Sequence, residues 1–167
     1  MLILLLLCWL PSVSPVKSVP AAPLRAVLKS SNMNHILQWD RGPDTAPDTA
    51  YSVSFHTDRS PCCDVVPGCE RVVDPPVCDL TQEFSDPEET YHIRVTAGLE
   101  ADSAQSSSPW ITFHPLSDTE LELPILRVTH CESSLCVDMS SPVPALHHIY
   151  DSFHYELQLQ TDDQRPR

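Results

Sequence analysis

Short runs of alternating apolar and polar residues, separated by prolines and small polar residues, fill the chain from Leu24 onward. In Tyr51–Phe55, the residues Tyr51, Val53 and Phe55 point one way and Ser52 and Ser54 the other, the period of an antiparallel strand with one wet face. Tyr91–Ala97 repeats the pattern more strongly, with Tyr91, Ile93, Val95 and Ala97 inward and His92, Arg94 and Thr96 outward. Leu24–Lys29, His35–Trp39, Val77–Thr81 and Pro109–Phe113 read as further strands. Asp58–Pro76 is too rich in proline and cysteine to assign, and Ser103–Ser108 reads as a polar turn. Strands at this spacing predict one all-β sandwich over residues 24–114, about 90 residues long. A linker is expected at 115–124, and the pattern restarts over 125–167 with Ile125–Thr129, Leu135–Met139 and Phe153–Leu159. Three strands do not close a second sandwich, so the expectation is an all-β chain with one complete module and a partial second one.

Residues 1–18 break this pattern. Met1–Leu10 is a nearly unbroken apolar run, followed by Pro11, Ser12 and Pro15. It has the length of a signal peptide and is too short for the roughly 20 residues of a membrane helix. The chain is therefore expected to be secreted, or to be the front piece of something longer, with no membrane segment of its own. Acidic residues outnumber basic ones by 23 to 10, and the net charge of −13 disfavours nucleic acid and anionic lipid as partners. Seventeen prolines argue against long helices, and three glycines leave little for phosphate-cradling loops. Asn32 and Asn34 are the only asparagines, and neither begins an N-x-S/T sequon.

Seven cysteines are present, Cys8 in the expected leader and Cys62, Cys63, Cys69, Cys78, Cys131 and Cys136 behind it. In an oxidising compartment these read as disulfides, and zinc is the alternative because His147 and His148 follow Cys131 and Cys136, although the spacing matches no familiar finger. Adjacent Cys62 and Cys63 do not readily bond to each other, and Cys131 and Cys136 either bridge neighbouring strands or take partners elsewhere. No nucleophile elbow accompanies the histidines, so neither an enzyme nor a cofactor is expected. Trp39, in phase with Leu37, reads as core, and Arg94 is placed to stack on Trp110.

Several stretches resemble the class II cytokine receptor family, and within it the interleukin-22 receptors. Ser30–Asp40 looks like the first hairpin with Trp39 as its core tryptophan, Gly42–Val53 like the following loop and third strand with Tyr51, and Tyr91–Ala97 like the sixth strand with Arg94 on its outer face. Phe113–Thr119 looks like the interdomain elbow, and His148–Leu159 like the loop and third strand of a second module. Gly68–Arg71 and Cys78–Thr81 look like the two halves of the first module's disulfide, so the resemblance implies a fibronectin type III-like β-sandwich with a bond between Cys69 and Cys78. It implies as partner a helical cytokine of the interleukin-10 family, interleukin-22-like, with a second receptor chain as a further partner. It places ligand contacts in loops at the elbow: His56, Asp58 and Arg59 after the third strand, Glu88 and Glu89 before the sixth, Leu99 and Glu100 before Trp110, and His148 and Tyr150 in the second module. The resemblance implies a soluble decoy or the extracellular part of a cell-surface receptor; an adhesion or interaction module of the same fold without a cytokine ligand, and a truncated splice product that binds nothing, are the other readings open to such a chain.

Overall fold

The computed structural model describes residues 19–98, 105–141, 143, 146, 148–150 and 154–158. The expected leader at 1–18 lies outside these residues. In chain order the elements are β1 (Leu24–Ser31), β2 (Asn34–Asp40), β3 (Tyr51–Thr57), β4 (Asp64–Val65), β5 (Val77–Asp79), β6 (Tyr91–Ala97), β7 (Ser106–Ser107), β8 (Ile111–Phe113), α1 (Pro115–Asp118), β9 (Ile125–Cys131) and β10 (Ser134–Ser140). One sheet runs β1-β2-β5, and a second runs β4-β3-β6-β7 with β8 also paired to β6. Every adjacent pair is antiparallel. Among the described residues eight strands build the sandwich, two more than the six runs read from the sequence: β4 lies within the unassigned proline-rich stretch and β7 replaces part of the expected polar turn. Both are two residues long, too short to leave a periodicity.

Burial follows the alternation. Tyr91, Ile93, Val95 and Ala97 of β6 are buried while His92, Arg94 and Thr96 are half-exposed. They meet Leu37 and Trp39 of β2, Tyr51 and Val53 of β3, and Leu80, Phe84 and Phe113 in one core. Phe84 stacks on Tyr91 at 4.1 Å between centroids, and Trp39 meets Tyr51 edge-on at 5.8 Å. Cys69 and Cys78 are bonded, both nearly fully buried in this core. Cys78 belongs to β5, and the Cys69 carbonyl accepts from the Val53 amide of β3, so the bond ties the two sheets together. At Gly42 a Cβ would stand 2.6 Å from the Ala21 Cβ and the Ala22 carbonyl oxygen, so only glycine lets the leading segment cross here.

His35 also faces the core, edge-on to Phe113 with centroids 5.0 Å apart, and only 1% exposed. Its Nδ1 is 2.7 Å from the Ser30 hydroxyl, which in turn lies 2.7 Å from the hydroxyl of Thr119 beyond α1. The segment after α1 is bound back onto the sandwich. The Asn32 amide donates to the Glu120 carbonyl at 2.9 Å, the Glu120 amide to the Ser30 carbonyl at 3.0 Å, and the Glu122 amide to the Asn32 side-chain oxygen at 3.1 Å. Asn32 and Met33 turn between β1 and β2 with φ of 49° and 64°, both left-handed as a two-residue hairpin turn of this hand requires.

The β9–β10 hairpin forms a two-stranded sheet of its own. The disulfide Cys131–Cys136 lies within it, on the face that also pairs Arg127 with Asp138. Leu126, Val128, Leu135, Val137 and Met139 lie on the other face and stay 41–60% exposed. His154–Gln158, expected within a strand, belongs to none of the strands among the described residues, and Phe153 and Leu159 lie outside those residues. Among the described residues no helix is long and apolar enough to cross a membrane, and no group of three or more His, Cys, Asp and Glu is placed to hold a metal ion.

Candidate binding surface

The ladder of β3 and β6 fixes one end of the sandwich. Thr57 pairs with Tyr91, and Tyr91 with Phe113, so the β3–β4 loop, the β5–β6 loop and the start of the elbow emerge side by side. His56 and His92 are directly opposite each other on the outer face, with rings stacked 4.6 Å apart. The His56 ring meets Trp110 edge-on at 4.9 Å, and the Arg94 guanidinium carbon lies 4.4 Å over the Trp110 ring. This row of rings and guanidinium covers the outward side of the sheet, where strand alternation places alternate residues.

Asp58 and Arg59 extend the row into the loop. Asp58 Oδ1 is 2.8 Å from His92 Nε2, and His92 Nδ1 is 3.2 Å from the Thr112 hydroxyl. The hydrogen bond from His92 holds the Asp58 carboxyl below its ordinary pKa. Arg59 donates to Asp86 at 2.9 Å and pairs with Glu89 at 3.3 Å, clamping the β3–β4 loop to the β5–β6 loop. Hydrogen bonding to Asp86, with the charge of Glu89 next, raises the Arg59 pKa. Glu89 is buried and its Oε1 accepts from the Thr90 amide at 3.0 Å, so its carboxylate acts inward through Arg59. Glu88 is exposed. Pro87 accepts from the Leu116 amide of α1 at 3.0 Å, and the Tyr150 hydroxyl donates to the Leu116 carbonyl at 3.3 Å, so this loop also touches the elbow.

The structure therefore brings His56, Asp58, Arg59, Glu88 and Glu89 together, with Tyr150 joined through Leu116. His148 is exposed nearby in sequence. Leu99 and Glu100 lie outside the described residues. The strand leading to them ends at Ala97, paired with Tyr51 at the far end of the ladder. The β1–β2 turn at Asn32 and Met33 also meets the elbow, which sequence reading alone did not identify. Its one signal was an asparagine in a turn between two alternating runs.

Comparison with known proteins follows the same outline. The sequence model of the family described as tissue factor matches residues 1–110. Interferon alpha/beta receptor 2 of Oncorhynchus mykiss is 34% identical over 138 residues, which cover 83% of this chain and 49% of that protein. Interleukin-22 receptor subunit alpha-1 of Homo sapiens is 30% identical over 144 residues, 80% of this chain and 25% of that protein. Interleukin-22 receptor subunit alpha-2 of Homo sapiens is 28% identical over 155 residues, 72% of this chain and 57% of that protein. The chain thus spans between a quarter and somewhat over half of the length of these relatives. A crystal structure of the chicken interferon gamma receptor alpha chain shares the fold at a TM-score of 0.63, with 21% identity, covering 79% of this chain and 63% of that one.

Proposed function

This chain belongs to the tissue factor family, the class II cytokine receptors, and from that premise we propose that it is an extracellular receptor module that binds a helical cytokine. The ligand in this reading is of the interleukin-10 family, interleukin-22-like, and it docks on the paired β3–β4 and β5–β6 loops. The observation that carries the reading is the Arg59 clamp to Asp86 and Glu89, at 2.9 and 3.3 Å. It ties two loops far apart in sequence into one surface before any ligand arrives, which lowers the ordering cost of binding. His56, Asp58 and Glu88 form its outward contacts, Arg59 and Glu89 hold its shape, and His148 and Tyr150 extend it across the elbow. The Arg94–Trp110 stack supports it from the sheet.

In the same reading, residues 1–18 are a secretion leader, 24–114 the first module, 115–124 the linker, and 125–167 the opening part of a second module. The exposed apolar face of the β9–β10 hairpin, where Val128 is 60% exposed, supports that last assignment, because a second sheet packs on such a face in a sandwich. A second receptor chain joins the complex.

Surface-binding measurements of the purified chain against a panel of interleukin-10-family helical cytokines test the proposal. At least one cytokine should bind specifically, and Asp58→Ala with Glu88→Ala should weaken it about tenfold or more, the scale of a contact hot spot. Asp48→Ala, in the exposed β2–β3 loop, should leave binding unchanged. Silence across the whole panel would reject the ligand class, and full affinity in the double variant would reject the surface.

A further inference from the structure

We propose that Cys62 and Cys63 form a covalent dimerisation site, through which the chain joins a second copy of itself by disulfide bonds. The proposal rests on the unpaired thiols and stands apart from the cytokine reading. Among the described residues, Cys69 pairs with Cys78 and Cys131 with Cys136, while Cys62 and Cys63 are free and exposed. They do not relieve each other. Neighbouring Cα atoms stand about 3.8 Å apart across a trans peptide, whereas a relaxed disulfide spans about 4.4–6.8 Å. Nor does the rest of the module offer a partner, since Cys69 is buried in the bond between the sheets.

The thiols stand on a braced loop. Before them, the Thr57 amide donates to the Ser60 carbonyl at 3.1 Å, the Ser60 amide to the Thr57 hydroxyl at 3.0 Å, and the Asp58 amide to the Thr90 carbonyl at 3.3 Å. Arg59 adds its clamp to Asp86 and Glu89. After them, Asp64 and Val65 pair with β3 as the edge strand of the second sheet. Two exposed thiols thus stand beside a sheet edge that, among the described residues, is paired on one side only.

A second copy fits this feature better than another protein does. Two thiols meet two thiols across a two-fold axis, the same patch serves both partners, and no cysteine is left over. The net charge of −13 on each copy opposes association by contact alone, so the bond rather than the contact holds the pair. Each bond arises by exchange with a donor disulfide such as glutathione disulfide. A thiolate of one copy attacks the donor and expels one glutathione thiolate. The second copy's thiolate then attacks the protein sulfur of this mixed disulfide and expels the other. Two protein thiols are oxidised, one donor disulfide is reduced to two thiols, and the protons leave with those thiols.

The full chain, incubated in a glutathione redox buffer and run on non-reducing gels with intact-mass and peptide mapping, tests the proposal. The expected product has twice the chain mass, carries cross-chain peptides joining Cys62 or Cys63, and returns to monomer on reduction. Cys62→Ser with Cys63→Ser should stay monomeric with unchanged thermal unfolding. Monomer capped with glutathione, an internal Cys62–Cys63 bond, a dimer mapped to Cys8, or a dimer persisting in the double variant would each overturn it.

Discussion

The guanidinium carbon of Arg94 lies 4.4 Å from the centre of the Trp110 ring, and His56 meets that same ring in a T-shaped contact. A cation over an indole face at an exposed site contributes about 0.5–1 kcal/mol. A double-mutant cycle of Arg94→Ala and Trp110→Ala, read by urea unfolding, should return a coupling of about that size. Additive single-variant effects would show that the two side chains are merely adjacent.

The Cys69–Cys78 bond closes a short loop, nine residues in sequence separation, and ties β5 to the flank of β3. Replacing both cysteines by alanine should cost about 2–3 kcal/mol, the loop-closure value for a ring of this size. Denaturant unfolding under oxidising conditions measures it. An unchanged midpoint would mean that the core alone holds the sheets in register.

His35 is buried, and burial lowers its pKa from the ordinary 6.5, with Asp79 and the Phe84 backbone opposing in part. Ser30, Phe84, Phe113 and Thr119 surround the contact. Below 6.5 the unfolded chain binds a proton at His35 that the folded chain still refuses. Stability should therefore fall as pH drops from 6.5 toward the lowered folded value, then level off. His35→Asn, which keeps a polar side chain near Ser30, should flatten that slope in urea midpoints taken across the range. A slope identical to the parent chain would locate the pH dependence elsewhere.

Thr119 reaches the Ser30 hydroxyl at 2.7 Å, across 89 positions of sequence. Thr119→Val removes the hydroxyl at nearly constant shape and should cost about 1 kcal/mol. Hydrogen exchange at the Asn32 and Glu120 amides, which bond across the same seam, should quicken together. Unchanged protection would show that the backbone bonds hold the elbow unaided.

Much of the sandwich is written in local alternation. β3 and β6 could be placed because buried and half-exposed positions alternate along Tyr91–Ala97 without a break. His35 shows what alternation leaves open. It lies in phase with Leu37 and Trp39, yet an imidazole reads as polar until a buried hydroxyl, here Ser30, is seen to receive it. The paired loops were legible only through family likeness, because Arg59 and Asp86 are 27 residues apart and no pattern along the chain announces their contact. For the same reason, Glu89 reads as a ligand contact beside Glu88, and nothing in the sequence announces that it is 8% exposed and paired with Arg59.

The parallel bridge between Ser31 and Glu120 bears on what lies beyond the elbow. A chain that left the sandwich freely after β8 would let the next segment swivel through a wide cone. Stitched to the β1–β2 turn through Glu120 and Glu122, the strand leaves along a set heading. The β1–β2 turn thus works as a tiller: a tilt of the first sandwich is handed on as a tilt of whatever the chain carries next, rather than being lost in a slack joint.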